Sequence, residues 1–305
     1  MYLYPSVMKN FIRHNARVIL IPGLLALTTT VVIAVNAGLH REIQRTDERE
    51  IVIKIESLFG NVYVSRGDPG KILSADIRFE GNEQAKTNIN YNIRNSIGYL
   101  NIDLNKGDQY HDGDDHNVKL GDIESGKWYL RFTDAVPICV DAELGCGKGE
   151  FDLTGLQIKK FKLSTGASSV ILRCDEPNRA EIEDLHIESG VGKLVATRLG
   201  NTNFHRLKFS GGVGSYDLDF SGDFHSIADV KIEVGLGAIT VNIPDNIGAK
   251  VICEESWISK IHIDPAFVEH EDNIYYTNNY SSAPGRLNVT VEAGLGSVRI
   301  RRGAK

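Results

Sequence analysis

Beyond residue 50, apolar and polar positions alternate with period two along much of the chain, and glycine turns interrupt the alternation at regular intervals. The turns in series are Gly145-Cys146-Gly147, Gly166-Ala167-Ser168, Gly190-Val191-Gly192, Gly212-Val213-Gly214 and Gly235-Leu236-Gly237, and Gly294-Leu295-Gly296 follows after a longer insertion. Their spacing runs from 21 residues (Gly145 to Gly166) to 24 (Gly166 to Gly190), a solenoid period. Five residues ahead of each turn stand Val140, Phe161, Leu185, Leu207, Val230 and Val289; three ahead stand Ala142, Leu163, Ile187, Phe209, Ile232 and Val291. Two residues past it stand Gly149, Val170, Leu194, Tyr216, Ile239 and Val298; four past it stand Phe151, Leu172, Ala196, Leu218, Val241 and Ile300. Each flank predicts a strand with one buried face. Columns apolar down the whole series predict stacked coils that share one core.

Leu58-Phe59-Gly60 is a weaker member of the series. Ile53 and Ile55 precede it and Val62 and Val64 follow it in the same relative positions, so the stack is predicted to start near Ile51. From Lys71 to Asp134 the pattern loosens. Strands are predicted at Ala75 to Phe79, Ile89 to Ile93, Tyr99 to Leu104 and Trp128 to Phe132, around a polar loop from Asp108 to Asn117. The segment Ile252 to Arg286, with Trp257, Phe267, Tyr275, Tyr276 and Tyr280, interrupts the repeat. It is expected to cap the solenoid end, which would otherwise expose a strand edge; the competing role is a binding surface for a peptide or sugar.

Glycine takes a positive φ without a Cβ clash and lets backbones approach closely, which suits a sharp bend between strands. A Gly-x-Gly that cradles phosphate needs a following helix whose N-terminus faces the anion. Here another strand follows each turn, so phosphate binding is excluded and no cofactor is expected.

The long uncharged run Val18 to Leu39 has the length of a transmembrane helix. A cleaved signal peptide ending near Val35-Asn36-Ala37 is the rival reading, set against a run longer than the usual apolar core of such peptides. The expected organisation is an N-terminal tail over 1–17, a transmembrane helix over 18–39, a juxtamembrane helix or linker over 40–50 and an all-β solenoid domain over 51–305. Basic residues flank the run on both sides and give no vote on orientation.

The formal charge is −6, and an acidic chain of this kind does not suit nucleic acid. Cys139, Cys146, Cys174 and Cys253 form no CxxC or zinc-like spacing and are expected as free thiols. Cys174 has inward parity with Leu153, Phe220 and Ile243, and Cys139 has outward parity. Arg198 falls in the same inward column, which predicts a locally open coil.

The run Asp108-Gln109-Tyr110-His111-Asp112-Gly113-Asp114-Asp115-His116 is dense in possible metal ligands, yet it lacks the EF-hand spacing and reads as a solvated loop. Asp152, Asp217 and Asp219 could serve as paired acids in glycan cleavage, but their parity predicts a solvent-facing row. No catalytic, cofactor-binding or metal-binding residue is assigned.

The series Trp128-x-Leu130-x-Phe132, Val136-Pro137-Ile138, Gly145-x-Gly147 and Phe151-Asp152-Leu153-Thr154-Gly155-Leu156 resembles the toast-rack domain. Thr165-Gly166-Ala167-Ser168 and Gly294-Leu295-Gly296-Ser297-Val298 extend the likeness, which covers about residues 51 to 302. That β-solenoid domain occurs in LiaF-like cell-wall-active antibiotic response proteins and in putative bacterial adhesins. The resemblance implies a bacterial envelope protein beside membrane-stress signalling machinery, with no enzymatic activity. Cys146 departs from the small residue expected there, and LiaF-like proteins usually carry several membrane segments where this chain has one. The expected function is a single-pass, non-enzymatic scaffold with a protein partner, its domain leaning to the extracytoplasmic side. A surface-displayed adhesin and a polysaccharide-active β-helix enzyme are the alternatives.

Overall fold

Strands with a glycine pair at their midpoint bend there and continue. In the computed structural model, which describes residues 31–35, 38–79, 87–104, 126–254 and 259–303, such bent strands form the body of the protein. They are β3 (Glu50–Arg66), β8 (Ile138–Asp152), β9 (Ile158–Arg173), β10 (Ile182–Thr197), β11 (Phe204–Asp219), β12 (Ile227–Ile243) and β17 (Gly285–Arg302). Each has a first arm before the glycine corner and a second arm after it.

Successive bent strands pair parallel and in register, in the order β3, β8, β9, β10, β11, β12, β17. The register places Leu185 on Leu207 and Val230 on Val289, as the column pattern predicts. All four columns are buried along their whole length, as are Ile53, Ile55, Val62 and Val64 of the opening coil. Parity switches at the corner: in β10, Leu185, Ile187 and Ser189 are inward before it, and Leu194 and Ala196 after it. The chain is thus all-β, a 17-stranded sheet with the parallel coils of a β-solenoid and, among the described residues, almost no helix.

The corner glycines allow coils to stack closely. A Cβ on Gly192 would lie 1.9 Å from the carbonyl oxygen of Ser168, and one on Gly237 equally close to that of Gly214. Both residues also have φ near +140° (141° and 142°), a region that is essentially glycine's alone.

Loops close the third side of the coils. Asn178 is buried there and binds three successive coils: it accepts from the Ile158 N–H at 2.9 Å and donates to the carbonyls of Ile158 (2.7 Å) and Thr202 (3.1 Å). Asn201 repeats the device, donating to the Cys174 carbonyl at 2.8 Å and accepting from the Asp223 N–H at 2.7 Å. Beside it Arg198 turns outward with φ 55° and starts a short 3-10 helix, Leu199–Thr202, whose Leu199 is buried. The expected opening of this coil is corrected: Arg198 leaves the inward column, and the buried residues Leu199 to Thr202 close the coil there.

Both ends are closed by strands that are out of sequence order. At one end β6 (Ile97–Leu104) and β7 (Gly126–Phe132) lie on the first and second arms of β3. Antiparallel β5 (Asn88–Arg94) covers β6, and β4 (Lys71–Phe79) covers β7. At the other end β13 (Ile247–Cys253) and β14 (Ser259–Ile263) lie on the two arms of β17. Antiparallel β16 (Ile274–Thr277) covers β13, and β15 (Phe267–Glu271) covers β16. The 252–286 segment thus acts as the cap expected of it; Trp257 lies outside the described residues.

The sheet also begins earlier than Ile51. β2 (Gly38–Gln44) pairs antiparallel with β4, and β1 (Val31–Val35) pairs with β2. The expected linker over 40–50 is corrected accordingly: Leu39, Arg41 and Ile43 alternate with His40, Glu42 and Gln44, and this charged run is a strand held between β1 and β4. Most of the predicted helix 18–39 lies outside the described residues, and the described part of it is strand. Among the described residues no helix is long and apolar enough to cross a membrane.

His40 fastens β2 to β4. Its Nδ1 lies 2.6 Å from Asp76 and its Nε2 3.1 Å from Glu42, while Arg131 of β7 holds the second oxygen of Asp76. The bond to Asp76 raises the His40 pKa above its ordinary value of 6.5. A raised folded-state pKa stabilises fully below the unfolded value and less as pH climbs through the folded one. Protection of β2 amides from hydrogen exchange should therefore fall as pH rises from 6.5 upward, and His40→Gln should flatten that dependence. A slope unchanged in the variant would dissociate it from this residue.

Candidate ligand-binding groove

Outward positions stack in columns as regularly as inward ones do. On the first arms, Lys162, His186, Lys208 and Lys231 form a column through four consecutive coils. One step nearer the corner runs an acidic column with Glu188, Glu233 and Glu292, broken by Ser164 and Ser210. One step farther, Asp184, Arg206 and Asp229 alternate in charge and the neutral Asn288 follows.

This face is hollowed into an open groove of about 990 Å³. Its floor comes from the first arms of β9 to β12 and β17, with Lys250, Ile252 and Glu254 of the end coil and Tyr280 at one rim. The lining holds six lysine or arginine side chains (Lys160, Lys162, Arg206, Lys208, Lys231, Lys250) against three carboxylates (Asp184, Asp229, Glu254), on a chain whose formal charge is −6.

Fixed pairs orient these groups. Arg206 donates to both oxygens of Asp184, at 2.7 and 3.2 Å, and holds that carboxyl below its usual range. Lys231 sits 2.6 Å from Glu233, which raises the lysine and helps lower the glutamate. Asn288 donates to Asp229 at 2.9 Å and accepts from the Tyr280 hydroxyl at 2.7 Å. The groove therefore presents charges of both signs, several of them paired across neighbouring coils, an arrangement that recognises by charge complementarity.

The residues singled out from sequence are dispersed. Asp152 is half-buried and accepts from Arg173 at 2.8 Å, and the guanidinium holds its carboxyl low despite burial. Asp219 is a correction: it is buried, accepting from Ser221 Oγ at 2.6 Å and Asn242 at 2.9 Å. The bent strand ends at Asp219, so strand parity no longer decides where its side chain goes. Asp217 stays half-buried on the second arm, and the two do not form a pair open to solvent. The Asp108 to Asn117 loop lies outside the described residues. Among the described residues no three His, Cys, Asp or Glu side chains group as a metal site.

All four cysteines are free. Burial pushes the thiols of Cys174 and Cys253 up to about 12 and about 11, with Asp152, Asp175 and Glu176 adding to the rise at Cys174. Cys139 is half-buried against Glu50, with its thiol pushed to about 11 mainly by burial. Cys146, at a corner, is exposed.

The family model described as the N-terminal domain of toast-rack matches residues 35–197 and 184–242, together more than half of the chain. The chain belongs to the toast-rack family. The two matches overlap at 184–197, inside the repeat, and the first begins before the strand expected to open the toast-rack domain. No curated protein matches the chain. Among solved structures, a putative cell adhesion protein from Clostridium sporogenes is 20% identical, with a TM-score of 0.45 over 87% of this chain and 98% of that one. A putative adhesin from Bacteroides fragilis is 14% identical, with a TM-score of 0.35 over 88% of this chain and 98% of that one. TM-scores this low carry no functional argument about this toast-rack chain.

Proposed function

We propose that this chain is a non-enzymatic interaction protein of the bacterial envelope, held at the membrane by the uncharged run that starts at Val18 and leads into β1, and presenting its coil stack to a protein partner. The observation that carries the reading is the groove: five coils supply a continuous floor that carries charges of both signs. Rigid stacked coils suit an extended recognition surface, because each coil repeats its side chains at the strand spacing. Membership of the toast-rack family supports the envelope assignment. Work in the response to envelope stress, on the extracytoplasmic side, is part of the proposal.

Membrane fractionation of the full chain tests it. The protein should stay in the pellet after an alkaline wash, and Leu20→Arg with Leu25→Arg should release it. A wild-type chain found in the supernatant would remove the anchor. Protease added to intact spheroplasts should digest the β domain, and a protected domain would place it in the cytoplasm. Loss of the chain should raise sensitivity to cell-wall antibiotics, and unchanged sensitivity would remove the stress role.

A further inference from the structure

The middle residue of each glycine corner is exposed and apolar or weakly polar. Cys146, Ala167, Val191, Val213, Leu236 and Leu295 stack in register through six consecutive coils. Val191 is 54% exposed, Val213 45%, Leu236 46% and Leu295 46%. Glycine lies on either side of most of them, so the row stands clear of its surroundings as a ridge about 24 Å long, taking about 4.8 Å per coil.

We propose that this ridge is the seam of a parallel pair formed with a second copy of the chain, the two-fold axis running along the stack. The flanking columns choose both the occupant and its direction. On the first-arm side of the ridge, the same six coils carry Glu143, Ser164, Glu188, Ser210, Glu233 and Glu292. On the second-arm side they carry Lys148, Ser169, Lys193, Ser215, Ala238 and Ser297. A two-fold axis along the stack keeps every coil level with its own copy and exchanges the two flanks. Lys148 then meets Glu143 of the second copy, and Lys193 meets Glu188. Reversing one copy instead sets acidic flank against acidic flank, with Glu143 opposite Glu292, which like-charge repulsion disfavours. Among the described residues neither lysine has an ion-pair partner within its own chain. The seam is one side chain wide and buries less than a standard interface, so pairing is weak when dilute and grows with local concentration.

Cys146 provides the direct test, because the parallel pair brings each Cys146 level with its own copy. Full-length protein at high concentration, treated with a short bis-maleimide, should give a dimer linked Cys146 to Cys146. In a Cys146→Ser background, Val213→Cys and Leu236→Cys should each link to themselves. Leu236→Asp should reduce Cys146 linking by about tenfold or more by placing charges in the seam. Lys193→Glu with Lys148→Glu should do the same, and adding Glu188→Lys with Glu143→Lys should restore it. A chain that stays monomeric and unlinked at every concentration would overturn the proposal. So would linking of Cys146 to a cysteine placed at 295 in preference to itself, or linking indifferent to the charge reversals.

Discussion

Gly237→Ala is expected to destabilise the fold by about 4 kcal/mol or more, near the upper end for a single substitution. Two costs combine. The residue has φ 142°, which an L side chain rarely adopts, and the added Cβ would lie 1.9 Å from the Gly214 carbonyl oxygen. That oxygen belongs to the backbone of the coil beneath, so relief requires the coils to separate and their parallel hydrogen bonds to stretch. The melting temperature should fall by roughly 10 °C for a domain of this size. Ser168 is the internal control, since it occupies the same corner position in β9 with a Cβ already present and no positive φ. Ser168→Ala removes only a long hydroxyl bond to the Gly145 carbonyl and should cost under about 1 kcal/mol. Equal losses in the two variants would show that corner geometry does not set the stacking distance.

The second large effect is expected at Asn178. Asn178→Leu keeps the branched shape but leaves the Ile158 N–H and the carbonyls of Ile158 and Thr202 without their side-chain partner in a buried site. An orphaned buried polar group costs about 1–3 kcal/mol, so a loss of about 4 kcal/mol is expected, read as a shift in the denaturation midpoint. Asn178→Asp retains the acceptor for the Ile158 N–H but sets a carboxylate against two carbonyls. Its destabilisation should shrink as pH falls and the protonated carboxyl regains a donor. A pH-independent loss equal to that of the leucine variant would argue that the site is water-filled.

The inward columns were legible because a shared core constrains them all alike. Leu185, Leu207, Val230 and Val289 repeat because each covers the one below. Ala75 to Phe79, Ile89 to Ile93, Tyr99 to Leu104 and Trp128 to Phe132 were legible as strands for the same local reason. Their partners were not, since alternation fixes a face and says nothing about which distant strand lies alongside. β2 was missed because its charges are answered by other strands, and His40, Arg41 and Glu42 read as a linker until Asp76 and Lys71 appear beside them. The groove was hidden because its side chains come from separate coils and look like ordinary solvated positions one at a time. The ridge had a signal in the sequence, the run Val191, Val213, Leu236 and Leu295 at the centre of successive turns. It passes as turn filler when attention rests on the glycines.

β17 is the last strand in sequence yet is inserted between β12 and the pair β13 and β14. During synthesis, β13 and β14 leave the ribosome before the strand they must lie against. The far end of the domain therefore cannot close until β17 has been made. Removing β17 would not shorten this protein by one repeat, as loss of a repeat would in an ordinary array; it would remove an interior rung and leave a detached cap.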